Sequence, residues 1–326
     1  MNQNSLKGRD IVSLRDLTVD EMELVFDGAD ELDPRSGYDI LRGKIMASLF
    51  FESSTRTRLS FESAMIRLGG GVVGWADAAT SRFGDPTRGE TFEDTIRMVQ
   101  DYSDVIVIRA PQTGLDHYPD VAAEIAEIPI ISAGYRLPPE DAEHPTQGLL
   151  DMYTVRKEKG TIDGLKIAMT GNLRYERTAH ARIYGLAKYD VELLLANPPG
   201  GDPPKKYLDY ILGNKATYRY VNLEQALNEA DVCFVVDAGP YEGKRTEQLR
   251  EHERVEAMRF SEQWRISLEK LKGAKKELLL MHDLPRSSVQ GFTIYPEVDR
   301  SSHAAYFREA ANGVRVRMAL LNAVVS

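Results

Sequence analysis

Short β-branched or apolar runs alternate with longer segments of helical period from one end of the chain to the other. That is the pattern of an α/β fold with parallel sheets. In the first half it predicts strands at 45–51, 72–75, 105–109 and 129–133, with helices near 18–32, 54–68 and 91–102 between them. Thr18 with Glu21 makes a capping box, and Thr91 with Asp94 a weaker version of the same start signal. The second half predicts strands at 166–170, 191–196, 218–221, 232–237 and 277–282. A helix over 146–159 joins the halves without a Pro or Gly cluster, so a defined angle between them is expected. Gly200-Gly201-Asp202-Pro203-Pro204 is a loop whose prolines suit a helix start, and 302–325 is again helical in period. No internal repeat or low-complexity tract interrupts the pattern. Two domains are expected, 1–150 and 151–301, with the last helix, 302–326, packing back onto the first.

Composition agrees with two compact cores: 326 residues, 42% hydrophobic and 28% charged. A formal net charge of −9 opposes binding to nucleic acid or an anionic membrane, so a phosphate-bearing substrate would need a local cationic pocket. The one cysteine, Cys233, lies in the apolar run Val232-Cys233-Phe234-Val235-Val236 and reads as core packing. The six histidines are scattered without metal-ligand spacing, and no metal is expected. The N-terminal residues lack the apolar stretch of a signal peptide, and no apolar run approaches the ~20 residues that span a bilayer. A soluble, cytoplasmic protein is expected.

The most informative stretch is Phe50-Phe51-Glu52-Ser53-Ser54-Thr55-Arg56-Thr57-Arg58, which follows an apolar strand and opens a helix. Unpaired backbone N–H groups and the helix dipole face an anion at such a junction, hydroxyls line it, and Arg56 can add a charge-assisted bond. On these residues alone, a Ser/Thr cap followed by two solvated arginines reads equally well. Arg109 stands at the C-terminal end of a strand, where open α/β sheets bind ligands, although a solvated loop arginine would look the same. His144-Pro145-Thr146-Gln147 puts an imidazole and an amide at another helix start, where a lone histidine is more often structural.

Together, Ser54-Thr55-Arg56-Thr57-Arg58, Arg109, His144-Pro145-Thr146-Gln147 and His282-Asp283-Leu284-Pro285-Arg286 resemble the aspartate and ornithine transcarbamoylases in order and separation. The stretches Ser60-Phe61-Glu62-Ser63-Ala64-Met65, Gly89-Glu90-Thr91 and Gly171-Asn172-Leu173-Arg174-Tyr175-Glu176-Arg177-Thr178 resemble the aspartate branch. The resemblance implies two doubly wound parallel-sheet domains joined by helices, no cofactor, and transfer of a carbamoyl group from carbamoyl phosphate to an amine. It implies that Ser54, Thr55, Arg56 and Thr57 hold the phosphate. Thr57, Arg109 and His144 would polarise the carbamoyl carbonyl, Gln147 would orient the carbamoyl nitrogen, and Leu284, before a cis proline, would direct its carbonyl at the substrate amines. Fixed donors aimed at the developing oxyanion are typically worth ~3 kcal/mol each.

The acceptor end departs from the family. Aspartate enzymes carry an Arg-x-Gln triplet after the strand corresponding to 232–236, where this chain has Asp237-Ala238-Gly239, and Lys244 and Arg245 follow only later. Asp283 replaces the first proline of the family's His-Pro-Leu-Pro. Two like charges ~4 Å apart cost on the order of 4 kcal/mol at an effective dielectric of 20. Arg177 matches the arginine that binds a substrate carboxylate. Arg177 on one side, with Asp237 and Asp283 on the other, suits a zwitterionic or diamino acid, so an acceptor other than aspartate is expected. The alternatives are ordinary aspartate carbamoylation in pyrimidine synthesis, with Lys244 or Arg245 replacing the lost arginine, and a non-catalytic carbamoyl phosphate-binding scaffold. The loop 80–88 resembles one that reaches the neighbouring subunit's site, with Ser81 or Thr80 matching its serine and Arg88 its lysine, and implies a homotrimer or a multiple of it; a plain surface loop is the alternative.

Overall fold

A computed structural model describes residues 5–77, 81–82, 89–109, 118–136, 140–237, 262–286 and 293–326. The chain divides into two compact units, Met1–Tyr153 with Ala311–Ser326, and Thr154–Ala310.

In the first unit the strands β1 (Ile45–Phe50), β2 (Gly71–Trp75), β3 (Val105–Arg109) and β4 (Ile130–Ser132) form one parallel sheet in the order β2-β1-β3-β4. Helices α1 (Val19–Glu31), α2 (Arg56–Arg67), α3 (Phe92–Gln100) and α4 (Tyr118–Ile125) accompany it. The Thr18 capping box forms as expected, with Thr18 Oγ1 accepting from Glu21 N and Glu21 returning the bond to Thr18 N. β1 and β3 are apolar and buried because helices cover both faces of a parallel sheet. The sheet winds from β1 outward to β2, then back across to β3. The order therefore reverses between β1 and β3, where Phe50 is in register with Arg109. A crevice at the carboxyl ends of those two strands is the ligand position of an open α/β sheet.

The second unit repeats the plan with β5 (Lys166–Thr170), β6 (Glu192–Ala196), β7 (Thr217–Tyr220), β8 (Val232–Val235) and β9 (Leu279–Met281), ordered β7-β6-β5-β8-β9 and all parallel. Its reversal lies between β5 and β8, with Thr170 in register with Val235. Helix α5 (Pro145–Lys159) carries the chain from the first unit into the second. Helices α6 (Arg177–Leu186), α7 (Lys205–Leu212) and α8 (Leu223–Glu229) follow, and α9 (Tyr306–Val325) returns the chain. The architecture is α/β with two doubly wound parallel sheets. Cys233 is buried in the core beside Ala168 and Leu280, and burial pushes its thiol up to about 12. Among the described residues, no helix is long and apolar enough to cross a membrane.

Several predicted ends move. Strand 129–133 shortens to Ile130–Ser132, 277–282 to Leu279–Met281, and the last helix begins at Tyr306 rather than 302. Helix α2 begins at Arg56 rather than 54, which frees Ser54 and Thr55 to lie in the loop ahead of the first turn.

Candidate active site

At the switch point of the first sheet, the loop after β1 leads into α2. Thr55 takes the cap position with right-handed helical dihedrals (φ −77, ψ −58), and its side chain makes no capping bond. The conventional cap is thus absent, and the hydroxyls of Ser54 and Thr55 are not consumed by the helix they precede. The two arginines of the motif diverge. Arg58 turns to Glu62 on the same helix at 3.3 Å, and Glu62 accepts from Ser48 Oγ at 3.1 Å, so Arg58 is structural. Arg56 is exposed in the first turn.

Behind this loop Thr57, Arg109 and His144 converge, each less than a tenth exposed. Arg109 Nη2 lies 3.3 Å from Thr57 Oγ1 and 3.1 Å from His144 Nε2, and the Thr57 hydroxyl is 3.5 Å from the same ring nitrogen. Arg109 Nε donates to Ala133 O at 3.0 Å, which fixes the plane of the guanidinium. A guanidinium only donates, so His144 Nε2 accepts from it in this arrangement, and the other tautomer makes the same atom a donor. Burial brings Arg109 down to about 10, with Glu52 opposing the shift and Arg136, Arg317 and Arg56 reinforcing it. It stays charged at neutral pH, at the centre of a local field of arginines inside an acidic chain. The His144 ring rests on Gly134, whose φ is +103; a Cβ there would stand 3.1 Å from the imidazole. Both the backbone and the ring demand glycine.

Gln147 sits in the first turn of α5, and its Nε2 donates to Asp151 Oδ1 at 2.8 Å one turn on. Asp151 is fully buried and is the counter-charge of Arg317, a buried arginine of α9 whose guanidinium lies 5.1 Å from the Phe61 ring centroid. Burial lowers Arg317 to about 10, against the pull of Asp151. An acceptor-only carboxylate holds the Gln147 NH2, so the amide oxygen turns away from it and can accept from a ligand N–H. One residue before His144, buried Glu143 accepts from Ser13 Oγ at 2.6 Å and from Leu14 N at 2.8 Å. Burial raises its carboxyl to about 7 despite those bonds.

In the second unit, the loop after β5 runs against the chain leaving β8. Asn172 N donates to Asp237 O at 2.8 Å, and a Cβ on Gly171 would stand 2.3 Å from Val236 O, so only glycine permits the approach. That contact places Asp237, half-buried, beside the segment that leads to Arg177, the buried first residue of α6. His180 locks the segment, with its Nε2 3.2 Å from Leu173 O and 3.1 Å from Arg174 O and its ring stacked on Tyr207. After β9, His282 Nδ1 accepts from Leu284 N at 2.8 Å, and the Leu284–Pro285 peptide is cis. Leu284 holds φ +50, a region that non-glycine residues rarely occupy and that concentrates at ligand sites. Asp283 is half-buried beside it.

Of the residues picked out in the sequence, the first unit brings together Thr57, Arg109 and His144, with Gln147 on the helix that follows. The second carries Arg177, Asp237, Asp283 and Leu284. Ser81 is described and half-buried, whereas Arg88, Ala238, Gly239, Lys244 and Arg245 lie outside the described residues. Sequence reasoning missed Asp151, Glu143, Arg317 and Arg182. Asp151 could have been found as the i+4 neighbour of Gln147 on a helix. Arg182 and Arg317 are charges at core positions of apolar helices, a signal that marks a buried pair without naming the partner.

Residues 9–157 match the family model of the aspartate/ornithine carbamoyltransferase carbamoyl-P binding domain, and 163–324 that of the Asp/Orn binding domain. The aspartate carbamoyltransferase catalytic subunit of Thermococcus kodakarensis is 44% identical over 320 residues, covering 97% of this chain and 96% of its own length. That of Pyrobaculum arsenaticum is 42% identical over 326 residues, covering 98% and 99%. The crystal structure of Trypanosoma cruzi aspartate transcarbamoylase with carbamoyl phosphate and aspartate superposes with a TM-score of 0.84 at 30% identity, covering 99% of this chain and 97% of that one. Two matched domains spanning nearly the whole chain, a shared double fold and the arginine-rich anion site make this chain a carbamoyltransferase and a member of the aspartate/ornithine carbamoyltransferase family.

Proposed function

We propose that the chain transfers the carbamoyl group of carbamoyl phosphate to the amino group of L-aspartate. Residues 1–150, with the helix at 302–326, bind the donor, and 151–301 bind the acceptor. Ser54, Thr55, Arg56 and Thr57 hold the phosphate, with backbone N–H groups at the start of α2 assisting. Thr57, Arg109 and His144 surround the carbamoyl oxygen, and Gln147 accepts from its nitrogen. The acceptor amine attacks the carbamoyl carbon, and the carbonyl electron pair becomes an oxyanion. Collapse of that intermediate re-forms the carbonyl, breaks the bond to the phosphate oxygen and releases phosphate, which carries off the proton that the attacking amine gives up. Arg109 stays charged throughout and needs no reorganisation, which is the economy of a preorganised oxyanion site. The observation that carries this reading is the buried convergence of Thr57, Arg109 and His144 at the switch point of the first sheet.

Aspartate replaces the acceptor expected from sequence because the relatives described above are aspartate carbamoyltransferases along their full length. Arg177 binds an acceptor carboxylate in this reading, and Leu284 presents its carbonyl to the amine. A homotrimer working in the cytoplasm, with Ser81 and Arg88 acting in the neighbouring subunit's site, completes it. A cationic or neutral acceptor is the second reading, favoured by Asp237 after β8. Steady-state rates with saturating carbamoyl phosphate and a panel of aspartate, ornithine and neutral amino acids decide between them. Efficient formation of carbamoyl aspartate supports the first; turnover confined to diamino acids supports the second; absence of turnover with any amine defeats both.

A further inference from the structure

Asp283 adds a negative charge to the acceptor unit where the family has proline, and the fold sets a cation against it. Arg182 of α6 is fully buried, its guanidinium is 4.5 Å from the Phe234 ring centroid, and its Nη2 lies 3.9 Å from Asp283 Oδ1. A guanidinium taken wholly out of water is tolerated only where a negative charge or acceptors compensate it. His282 does not supply the opposing charge. Its Nδ1 accepts from Leu284 N, and burial holds its pKa below the usual value, with Asp283 and Asp237 opposing that shift and Arg182 and Arg286 adding to it. Arg286 is engaged elsewhere, bonded through Nη1 and Nη2 to Asp299 at 2.6 and 3.0 Å. Arg182, Asp283 and Asp237 all act on the same imidazole and so share one neighbourhood.

We propose that Arg182 and Asp283 are a matched pair that sets the charge met by the second substrate, with Arg182 a specificity-determining positioning residue acting through Asp283. The inference rests on the proposed acceptor chemistry. It removes the objection that two carboxylates would repel aspartate: one of them, Asp283, carries its own buried counter-charge. Arg177 then has only Asp237 against it among the charges singled out at this end. Arg182 touches no substrate. It decides whether Asp283 is felt as a full negative charge or as half of a dipole.

The test is a double-mutant cycle over Arg182→Leu and Asp283→Asn, with Arg182→Lys as the conservative variant, read by steady-state kinetics. Arg182→Leu raises KM for aspartate by about tenfold while KM for carbamoyl phosphate stays within about twofold. Arg182→Lys keeps the charge and recovers most of that loss. Adding Asp283→Asn to Arg182→Leu removes both charges and returns KM to about the wild-type value. An equal rise in both KM values, or a double variant as impaired as Arg182→Leu, overturns the proposal and leaves Arg182 as packing. Should Arg182→Leu fail to fold, Asp283→Asn decides alone: with Arg182 unopposed, KM for aspartate falls about threefold or more, and an unchanged KM overturns the pair. A wild type that does not carbamoylate aspartate defeats the proposed function but not the pair. The ratio of kcat/KM for cationic over neutral acceptors is then read instead, and it must rise about tenfold in Arg182→Leu or in the Asp283→Asn background fall; no change overturns the proposal.

Discussion

Replacing Asp151 with Asn separates the orientation of Gln147 from the stability of the first unit. In the wild type the carboxylate can only accept, so the Gln147 NH2 faces it at 2.8 Å and the amide oxygen is left for the ligand. An asparagine donates as readily as it accepts, and the Gln147 amide then has two orientations of similar energy. A hydrogen bond to a charged group is worth about 1.5–3 kcal/mol, which corresponds to a rise of about 10- to 100-fold in KM for carbamoyl phosphate. The same substitution strips Arg317 of its counter-charge. Breaking a buried pair costs about 3–5 kcal/mol, enough to lower Tm by about 10 °C in a unit of this size. Arg317→Met added to Asp151→Asn removes the uncompensated cation and recovers much of the Tm, yet leaves KM high. Arg317→Met alone lowers Tm and spares KM, since Asp151 still holds the amide. Thermal unfolding and initial rates over a matrix of carbamoyl phosphate concentrations check all three variants. A normal KM in Asp151→Asn refutes the orientation argument outright.

Glu143 carries a pH effect with a definite sign. Its carboxyl is raised from the ordinary 4.5 to about 7 by burial, so its contribution is fully present below pH 4.5 and is lost as pH rises through 7. Glu143→Gln keeps a carbonyl for Leu14 N and removes that slope. It should be more stable than wild type at pH 8, by at most about 3 kcal/mol, in denaturant unfolding at pH 5, 6.5 and 8; parallel wild-type and variant profiles would contradict the assignment. Gly134→Ala puts a methyl 3.1 Å from the His144 ring at φ +103, and kcat should fall by about 100-fold, the value of one misplaced oxyanion donor. Retained kcat would mean that His144 is not a donor to the carbamoyl oxygen.

The strands were legible because a sheet covered on both faces writes continuous apolar runs into the chain. β3 and β5 have the predicted ends, and those of the others move by at most two residues. Helix α6 was not legible, since nine of its ten residues are buried and it has no polar face to set a period. Helix α8 was missed despite a capping box at Asn222 and Gln225, for it is only seven residues long. The convergence of Thr57, Arg109 and His144 could be anticipated because its pieces are local: strand ends and helix starts announce themselves in a few residues each. What holds those pieces could not be read. Glu143 meets Ser13 across 130 positions, and Arg317 reaches Asp151 from the far end of the chain.

The same asymmetry bears on the sign of charge in the second unit. Asp237 and Asp283 are visible in sequence as two carboxylates near an expected substrate, and charge counted along the chain gives repulsion. Coulomb energy depends on distance in the fold, where a cation at 3.9 Å offsets at an effective dielectric of 20 about 4 kcal/mol of the field that Asp283 alone would produce. Arg182 is more than a hundred residues from Asp283 and sits in a segment with no polar period, so nothing local flags it. At the donor end the reverse holds. The chain carries a net charge of −9, yet burial depresses Arg109 and the neighbouring Arg136, Arg317 and Arg56 add to that shift. The fold holds that buried cation and its neighbours in place, and an anion bound there would relieve their cost. Net charge therefore opposes association with large anionic partners, while the charge at a site is set by which buried groups the fold brings within a few ångströms.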